Sequence, residues 1–269
     1  MKNEFYSKEH VAYLKRLKLK NLLVVLTRFL ILFTFLLLWE LSARFEWVNP
    51  FITSSPSRIA KTLYSLYQDG SLFRHVGITL KETLIGFVLA VVLGYGTALL
   101  LWWSDVARKV SEPFFVVLNA LPKIALGPLI IIWFGTGEKA IVCMTVLIGL
   151  IVAILNMLGG FMATDENKLL LLKSMGATKL QILTKLVIPS SLPTFISMLK
   201  INVGMAWIGS IMGEYIVSRA GIGYLIVYGG QVFKLDLVMA SVLVLCILAA
   251  GMYALVALIE KLVIKNAEK

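Results

Sequence analysis

The sequence predicts an all-α, polytopic membrane protein with six transmembrane helices, and three observations support this prediction. Hydrophobic residues make up 59% of the chain and charged residues only 15%, and the mean hydropathy of +0.88 is too high for a soluble domain. The apolar residues gather in runs that are long enough to cross a bilayer as helices. The net charge of +11 comes from lysines and arginines in tails and loops, so the charge pattern excludes a nucleic-acid-binding surface.

Residues 1–21 are polar and basic, and we expect them to form a cytoplasmic tail ahead of a single transmembrane domain over 22–269. The first span is predicted over 22–39, a run that is too long for a signal peptide and lacks a cleavage pattern. An alternative for the tail is a basic amphipathic element that lies on anionic membrane lipid. The polar break over 50–70 predicts a short amphipathic helix on the outer face. Its apolar side would carry Ile59, Leu63, Leu66 and Tyr67.

The remaining spans are predicted over 78–103, 110–134, 140–162, 192–216 and 237–264. Small residues recur every fourth position in span two and form a Gly-x-x-x-Gly pair in span five, which predicts close packing against other helices. These residues are Gly86, Ala90, Gly94 and Ala98, and then Gly209 and Gly213. Span three contains Pro113, Pro122 and Pro128, so we expect it to be kinked or broken.

Charge distribution sets the expected orientation of the six spans. The two tails and the loops over 104–112 and 163–190 hold 16 lysines and arginines, whereas the loops on the opposite side hold 8. Because positive residues accumulate on the cytoplasmic side, we expect both termini and the 163–190 loop to be cytoplasmic.

The 163–190 loop has the sequence signals of two short helices around a glycine. Thr164 is the expected cap of the first helix, and Gly176 is expected to stop it. Thr178 and Gln181 form a T-x-x-Q capping box for the second helix. Pro189 and Pro193 are expected to end that helix.

These loop residues resemble the cytoplasmic motif of ABC importer permeases. The match lies in Lys173, Ser174, Met175, Gly176, Ala177 and Thr178, with Pro189 thirteen positions after the glycine. The acidic-Ala-Ala opening of that motif is absent, and three leucines over 170–172 stand in its place. The resemblance implies that the loop docks a cytoplasmic ATPase subunit.

Two further segments resemble permeases for nitrate, sulfonate, taurine and pyrimidine-type solutes. They are 121–138 and 221–226, the latter followed by Asp236 and Leu237. The second segment corresponds to an outer loop before the last span, and the family-like core covers about 54–262. The resemblance implies a type I importer permease in a prokaryotic cell membrane, importing a small anion or small organic molecule. The implied partners are two ATPase copies, a second identical permease subunit, an extracytoplasmic solute-binding protein and membrane lipid.

Lys123 is the main pathway candidate, because an ionisable residue within a span is costly and is by default functional. It could attract an anionic solute beside Pro122, or it could instead extend to the headgroups. Asn202, Met205 and Trp207 of span five are further pathway candidates, with simple packing as the alternative. Near the span ends, Lys200 is expected to extend to the headgroups and Glu214 to form an ion pair with Arg219.

The chain carries no motif for chemistry of its own. G-x-x-x-x-G-K-[ST], G-x-S-x-G and H-E-x-x-H are all missing, so we expect no catalytic residue, no cofactor and an ATP-hydrolysing partner. Two distant histidines, and two cysteines within apolar runs, give no metal-site pattern. The alternative is a partner-free secondary transporter, which would be expected to show an internal repeat or paired broken helices.

Overall fold

The structure, a computed structural model, describes residues 8–267. These residues fold into helices joined by short turns, and no strand occurs among them. The chain divides into two compact units, residues 1–62 and 63–269. The expected division at residue 21 remains a prediction, and the tail residues before Lys8 lie outside the described range.

The first unit contains two complete helices, α1 (Lys8–Arg44) and α2 (Pro50–Thr53). A third helix, α3 (Pro56–Gln68), begins in the first unit and ends in the second. The candidate membrane span within α1 is Arg16–Arg44, which is longer at both ends than the predicted 22–39. Lysine, arginine and glutamate are good helix formers, so the helix continues beyond the apolar run. The end of α1 is fixed to the following turn, where the Trp39 Nε1 atom donates to the Thr53 carbonyl at 3.2 Å. The predicted amphipathic helix over 50–70 is thus present as α2 and α3.

The second unit holds most of the membrane-spanning part of the chain. Its helices are α4 Ser71–Trp103, α5 Asp105–Ala120, α6 Gly127–Phe134, α7 Glu138–Met162, α8 Glu166–Ser174, α9 Lys179–Ile182, α10 Ile188–Ser190, α11 Leu192–Val217, α12 Ile222–Gln231 and α13 Leu235–Ala267. The segment around 222–231, predicted as a loop, is therefore a helix.

Helix α7 packs between α4 and α11, and small residues allow the close approach. A Cβ atom added at Gly86 of α4 would lie 2.4 Å from the Thr145 side chain of α7. A Cβ atom at Gly209 of α11 would lie 2.5 Å from the Thr145 Cα atom. The α4–α7 contact continues at Gly94, where a Cβ atom would lie 2.4 Å from the Cβ atom of Ala153. The predicted role of the small-residue pattern is confirmed, because neither neighbour of α7 could pack this closely with larger side chains.

The third predicted span is broken between α5 and α6, which meet at an angle of 88°. The break lies at Leu121 and Pro122, where Leu121 is extended with ψ near 134°. A proline disfavours the helical conformation of the residue before it, so Pro122 accounts for the break. A 3₁₀ turn, Lys123–Leu126, then leads into α6, and Pro128 lies in the first turn of α6. Pro113, by contrast, lies inside α5 without ending it.

Five helices within the described residues are long and apolar enough to cross a membrane, and the bent α5–α6 pair raises the number to six if it forms one span. The five are the Arg16–Arg44 part of α1, α4, α7, α11 and the Leu235–Leu262 part of α13. The all-α fold with up to six spans is therefore confirmed. The helices extend beyond the predicted apolar runs because polar turns continue them.

Candidate docking loop and solute pathway

The 163–190 loop begins with α8, whose cap differs from the predicted one. The Asp165 side chain accepts hydrogen bonds from the backbone N–H groups of Asn167 at 2.8 Å and Lys168 at 3.4 Å. Thr164, the expected cap, is buried, and its hydroxyl group donates to the Phe161 carbonyl at 2.9 Å. Asp165 replaces Thr164 because a carboxylate one residue later still reaches the first free N–H groups of α8.

Gly176 ends α8 in the way that the sequence predicts. Its φ angle is +76°, and the N–H groups of Gly176 and Ala177 donate to the carbonyls of Lys173 and Leu172, both at 3.0 Å. This arrangement is a Schellman motif, in which the residue after the helix adopts the left-handed conformation. Glycine has no Cβ atom to oppose that conformation. The chain can therefore reverse direction between two short helices.

The second loop helix starts with the predicted capping box. The Gln181 N–H group donates to the Thr178 hydroxyl at 3.3 Å, and the Thr178 N–H group donates to the Gln181 side-chain oxygen at 2.8 Å. The two bonds satisfy one free N–H group at each end of the first turn. The prediction of two helices around Gly176 is thus confirmed.

Pro189 and Pro193 do not end the second helix, contrary to the prediction. Helix α9 continues into a π-helical turn, Leu183–Val187, in which the Ile188 N–H group donates to the Leu183 carbonyl. Pro189 then lies in the first turn of α10 and Pro193 in the first turn of α11. A missing N–H group is tolerated in a first turn, and the wider π turn gives the ring of Pro189 room.

The two faces of the loop differ in burial. On one face Ile182, Leu183 and Val187 join a buried cluster that contains Met157 and Phe161 of α7. This cluster also includes residues of α4 and α11, so the loop packs on the same end of all three helices. We call this end of the second unit the loop end and the opposite end, which carries α12, the far end.

Outside this cluster, four large apolar side chains of the loop are between 58% and 73% exposed, and together we call them the loop patch: Leu170, Leu171, Met175 and Leu180. Leu170 and Leu171 occupy positions where the resembling motif has its acidic-Ala-Ala opening. Met175 and Leu180 lie outside the buried cluster, whereas Ile182 belongs to it.

Lys123 and Pro122 lie at the break in the third predicted span. Pro122 is exposed, and the Lys123 Nζ atom donates to the Asn119 carbonyl at 3.3 Å. Because Asn119 lies in the last turn of α5, this bond places the positive charge of Lys123 at the negative end of that helix. The 88° bend also means that the distance of Lys123 from the start of α5 along the sequence does not measure its depth in the membrane.

The three candidates on α11 have different surroundings. Asn202 is 1% exposed, and its side-chain amide donates to the Met198 carbonyl at 3.2 Å. Trp207 is also buried, in a cluster with Val203 and with residues of α13. Met205 is partly exposed. The interior positions of Asn202 and Trp207 correspond to the packing alternative, so Met205 is the α11 candidate that keeps access to the surface.

Glu214 does not pair with Arg219 but holds the start of α12. Four successive N–H groups over 221–224 are bound by side chains from α4 and α11. The N–H group of residue 221 donates to His75 Nδ1 at 2.9 Å, and that of residue 222 donates to Thr79 Oγ1 at 2.7 Å. The N–H groups of residues 223 and 224 both donate to Glu214 Oε2, at 2.6 and 3.3 Å. Glu214 is 1% exposed. The sequence did not indicate this role, because it depends on α12 folding back over the far end.

Lys200 also has a partner that the sequence did not identify. Its Nζ atom lies 2.5 Å from Glu260 Oε2 of α13, and both side chains are largely shielded. The expected extension to the headgroups is therefore replaced by an ion pair that joins α11 to α13. No group of three or more histidine, cysteine or acidic residues suited to a metal ion occurs within 8–267.

Grooves on the second unit include two that are lined by α4. A groove of about 960 Å³ runs between α4 and α7, with apolar walls that include Leu89 and Val146 and a polar end at Glu138 and Lys139. A second groove of about 500 Å³ lies near the loop end, between α4 and the start of α11, and is lined by Tyr95 and Phe195 among others. The first groove has charged groups at one end, whereas the residues that line the second groove are mostly apolar.

Comparisons with known proteins agree on one family. Residues 86–268 match the model of the binding-protein-dependent transport system inner membrane component. The chain is 34% identical over 189 residues to the formylaminopyrimidine transport permease protein ThiX of Halalkalibacterium halodurans, covering 70% of this chain and 75% of that protein. It is 24% identical over 219 residues to the taurine transport system permease protein TauC of Escherichia coli, covering 80% of each.

The fold also matches solved structures. The MetNI methionine ABC transporter, in inward-facing conformations, aligns with a TM-score of 0.63 at 20% identity, covering 71% of this chain and 95% of that chain. At this identity the likeness establishes the fold, which is that of a type I ABC importer permease.

Proposed function

Because the chain belongs to the family of binding-protein-dependent transport inner membrane components, we propose that it forms the solute pathway of an ATP-driven importer and docks an ATPase through its Gly176 loop. The observation that carries this proposal is the loop patch. Large apolar side chains that stay exposed on a loop between spans are typical of a protein-binding surface. The loop itself contains no nucleotide motif, so the partner would supply ATP hydrolysis.

The docking proposal assigns different roles to the two faces of the loop. The docking segment predicted from the sequence consists of Lys173, Ser174, Met175, Gly176, Ala177, Thr178 and Pro189. Within it the Gly176 turn and the Thr178 capping box fix the backbone, and Met175 belongs to the loop patch. The buried face joins the loop to α4, α7 and α11. A force on the loop patch would therefore act directly on three spans.

A double substitution tests the docking proposal. Replacing Met175 and Leu180 by glutamine removes apolar contact area from the loop patch, and burying each such side chain is worth about 1.5–3 kcal/mol. We expect the amount of ATPase that co-purifies in mild detergent, quantified by mass spectrometry, to fall at least about tenfold. Lys185→Gln, on an exposed position of the same loop, is the matched control and should retain the ATPase.

The opposite outcome would favour the alternative function. If the unaltered protein purifies intact and alone, or the double variant keeps its ATPase, the loop is not a docking site. A partner-free secondary transporter would then be the better assignment, because such a transporter needs no soluble subunit.

For the pathway, we propose Pro122, Lys123 and Met205 as solute contacts, with the groove between α4 and α7 as part of the route. Lys123 supplies a positive charge where the backbone is broken, and free backbone groups at such a break are suited to binding polar solutes. Asn202 and Trp207 would support the route by packing α11. Relatives named for taurine and formylaminopyrimidine suggest a small anion or small organic molecule as the solute.

The proposed assembly contains two identical copies of this chain, two ATPase subunits and an extracytoplasmic solute-binding protein. The proposed location is a prokaryotic cell membrane, with both termini and the loop end on the cytoplasmic side. The excess of positive residues in the tails and in the 104–112 and 163–190 loops supports this orientation.

A further inference from the structure

Lys179 lies where the second loop helix meets the end of α4. Its Nζ atom donates to the Trp103 carbonyl at 2.6 Å. The same atom lies 5.6 Å from the ring centroid of Trp102 and 5.7 Å from that of Trp103. One ammonium group therefore makes a charge-assisted hydrogen bond and two cation–π contacts with consecutive residues of α4.

The position of these contacts joins two helix ends. Trp103 is the last residue of α4, so its carbonyl has no partner within the helix and carries part of the negative end of the helix dipole. Lys179 is the first residue of α9, directly after the Thr178 cap. The contact therefore joins the first residue of α9 to the last residue of α4, so a shift of α9 would act on the end of α4.

The other contacts between the loop and the spans have a different character. The buried face of the loop contacts α4, α7 and α11 through apolar side chains, and such contacts can slide because they have no fixed direction. All four loop lysines are exposed. Among the residues that the structure describes, Lys168, Lys173 and Lys185 have no hydrogen bond or ion pair through the ammonium group, in contrast to Lys179. Lys179 is thus the lysine of this loop that is fixed to a span.

We propose that Lys179 is a positioning residue that transmits movement of the Gly176 loop to α4. This proposal rests on the proposed function, since it needs an ATPase that moves the loop. Lys179 lies outside the loop patch, so its removal should leave docking intact and weaken the response of the spans to ATP. Docking and transmission are therefore separable by experiment.

The test uses the complex with its co-purified ATPase in liposomes, with Gln231→Cys on α12 as a reporter of the far end. Cys143 and Cys246 are replaced by serine so that the reporter is the single thiol of this chain. The rate of maleimide labelling is measured with and without ATP and vanadate. Lys179→Met removes the charge and keeps the stem, Lys179→Arg keeps the charge, and Lys185→Met is the matched control.

We expect Lys179→Met to retain its ATPase and to reduce the nucleotide-dependent change in labelling rate about three- to tenfold, in line with the loss of such contacts. Lys179→Arg should restore most of the change, and Lys185→Met should match the unaltered protein. A purely structural role would lower ATPase retention and the labelling change together, whereas the proposed role lowers only the labelling change.

Three results would overturn the inference. A full labelling change in Lys179→Met would show that the contact transmits nothing. Loss of the ATPase from Lys179→Met would place the residue in docking instead. Absence of any nucleotide-dependent change in the unaltered complex would contradict the proposed function itself, and the inference with it, before any variant is compared.

Discussion

At the scale of the residue, Gly176 shows how one backbone angle constrains the loop. Its φ angle is +76°, yet a Cβ atom added there would find no heavy atom within 4 Å. The requirement for glycine is therefore conformational and not steric. A left-handed conformation costs other residues about 1–2 kcal/mol, least for asparagine and most for β-branched side chains.

A graded series at Gly176 follows from this distinction. We expect Gly176→Asn to keep its ATPase, Gly176→Ala to lose part of it and Gly176→Val to lose most, in detergent co-purification. Insertion into the membrane should be equal for all three. If the valine variant transports and retains its ATPase at the level of the unaltered protein, the turn does not matter for coupling.

Glu214 is the second residue whose role is specific, because it accepts two N–H groups at the start of α12 while 1% exposed. Glu214→Ala would leave those buried donors unpaired, at a cost of about 1–3 kcal/mol. We expect faster hydrogen exchange over 221–231 in this variant, measured by mass spectrometry. Arg219→Ala is the control that separates this role from the ion pair predicted from sequence. Protection that falls equally in both variants would contradict the assignment.

These two residues also mark the limit of sequence-based inference. Gly176, Thr178 and Gln181 were predictable because their hydrogen bonds join residues within a few positions of each other. His75 and Thr79 accept from N–H groups at the start of α12 that are 146 and 143 positions away. Glu214 accepts from N–H groups 9 and 10 positions away, but these bonds depend on α12 folding back over the far end. No local pattern encodes such pairs, and the same holds for Lys179 with Trp103 and Lys200 with Glu260.

At the scale of the element, α11 offers a matched pair of glycines that separates packing from helix propensity. A Cβ atom at Gly209 would lie 2.5 Å from the Thr145 backbone, whereas one at Gly204 would find nothing within 4 Å. We expect Gly209→Ala to lower the apparent melting temperature in detergent, because overpacking costs about 1–3 kcal/mol. Gly204→Ala should leave it unchanged or raise it, since alanine favours helix. Equal effects of the two substitutions would contradict the packing of α11 on α7.

Prolines show why element boundaries were harder to predict than element types. Pro122 breaks the third predicted span, while Pro113 is accommodated inside α5 and Pro189 follows a π turn. All three lack the same N–H group, and the difference lies in how the neighbouring turns adjust. The spans were predictable from apolar length, but the effect of each proline depends on backbone geometry that the sequence does not display.

At the scale of the whole molecule, the fold class followed from composition and apolar runs, and the orientation remains a prediction. Single cysteines at Met175 and Gln231, in a background without Cys143 and Cys246, would test it. We expect a membrane-impermeant maleimide to label the Gln231→Cys protein in intact cells, and the Met175→Cys protein only after the membrane is opened. The reverse pattern would invert the topology and place the loop patch out of reach of a cytoplasmic ATPase.

The close contact between Gly94 and Ala153 limits which substitutions the chain can accept during evolution. An alanine side chain at position 94 would clash with the Cβ atom of Ala153. Replacing Ala153 by glycine removes that atom, so we expect Gly94→Ala to be tolerated together with Ala153→Gly. At Gly209 the obstacle is the Thr145 backbone, which no substitution can remove. Among related chains the first pair should therefore vary jointly, with glycine on either helix, while position 209 should stay glycine.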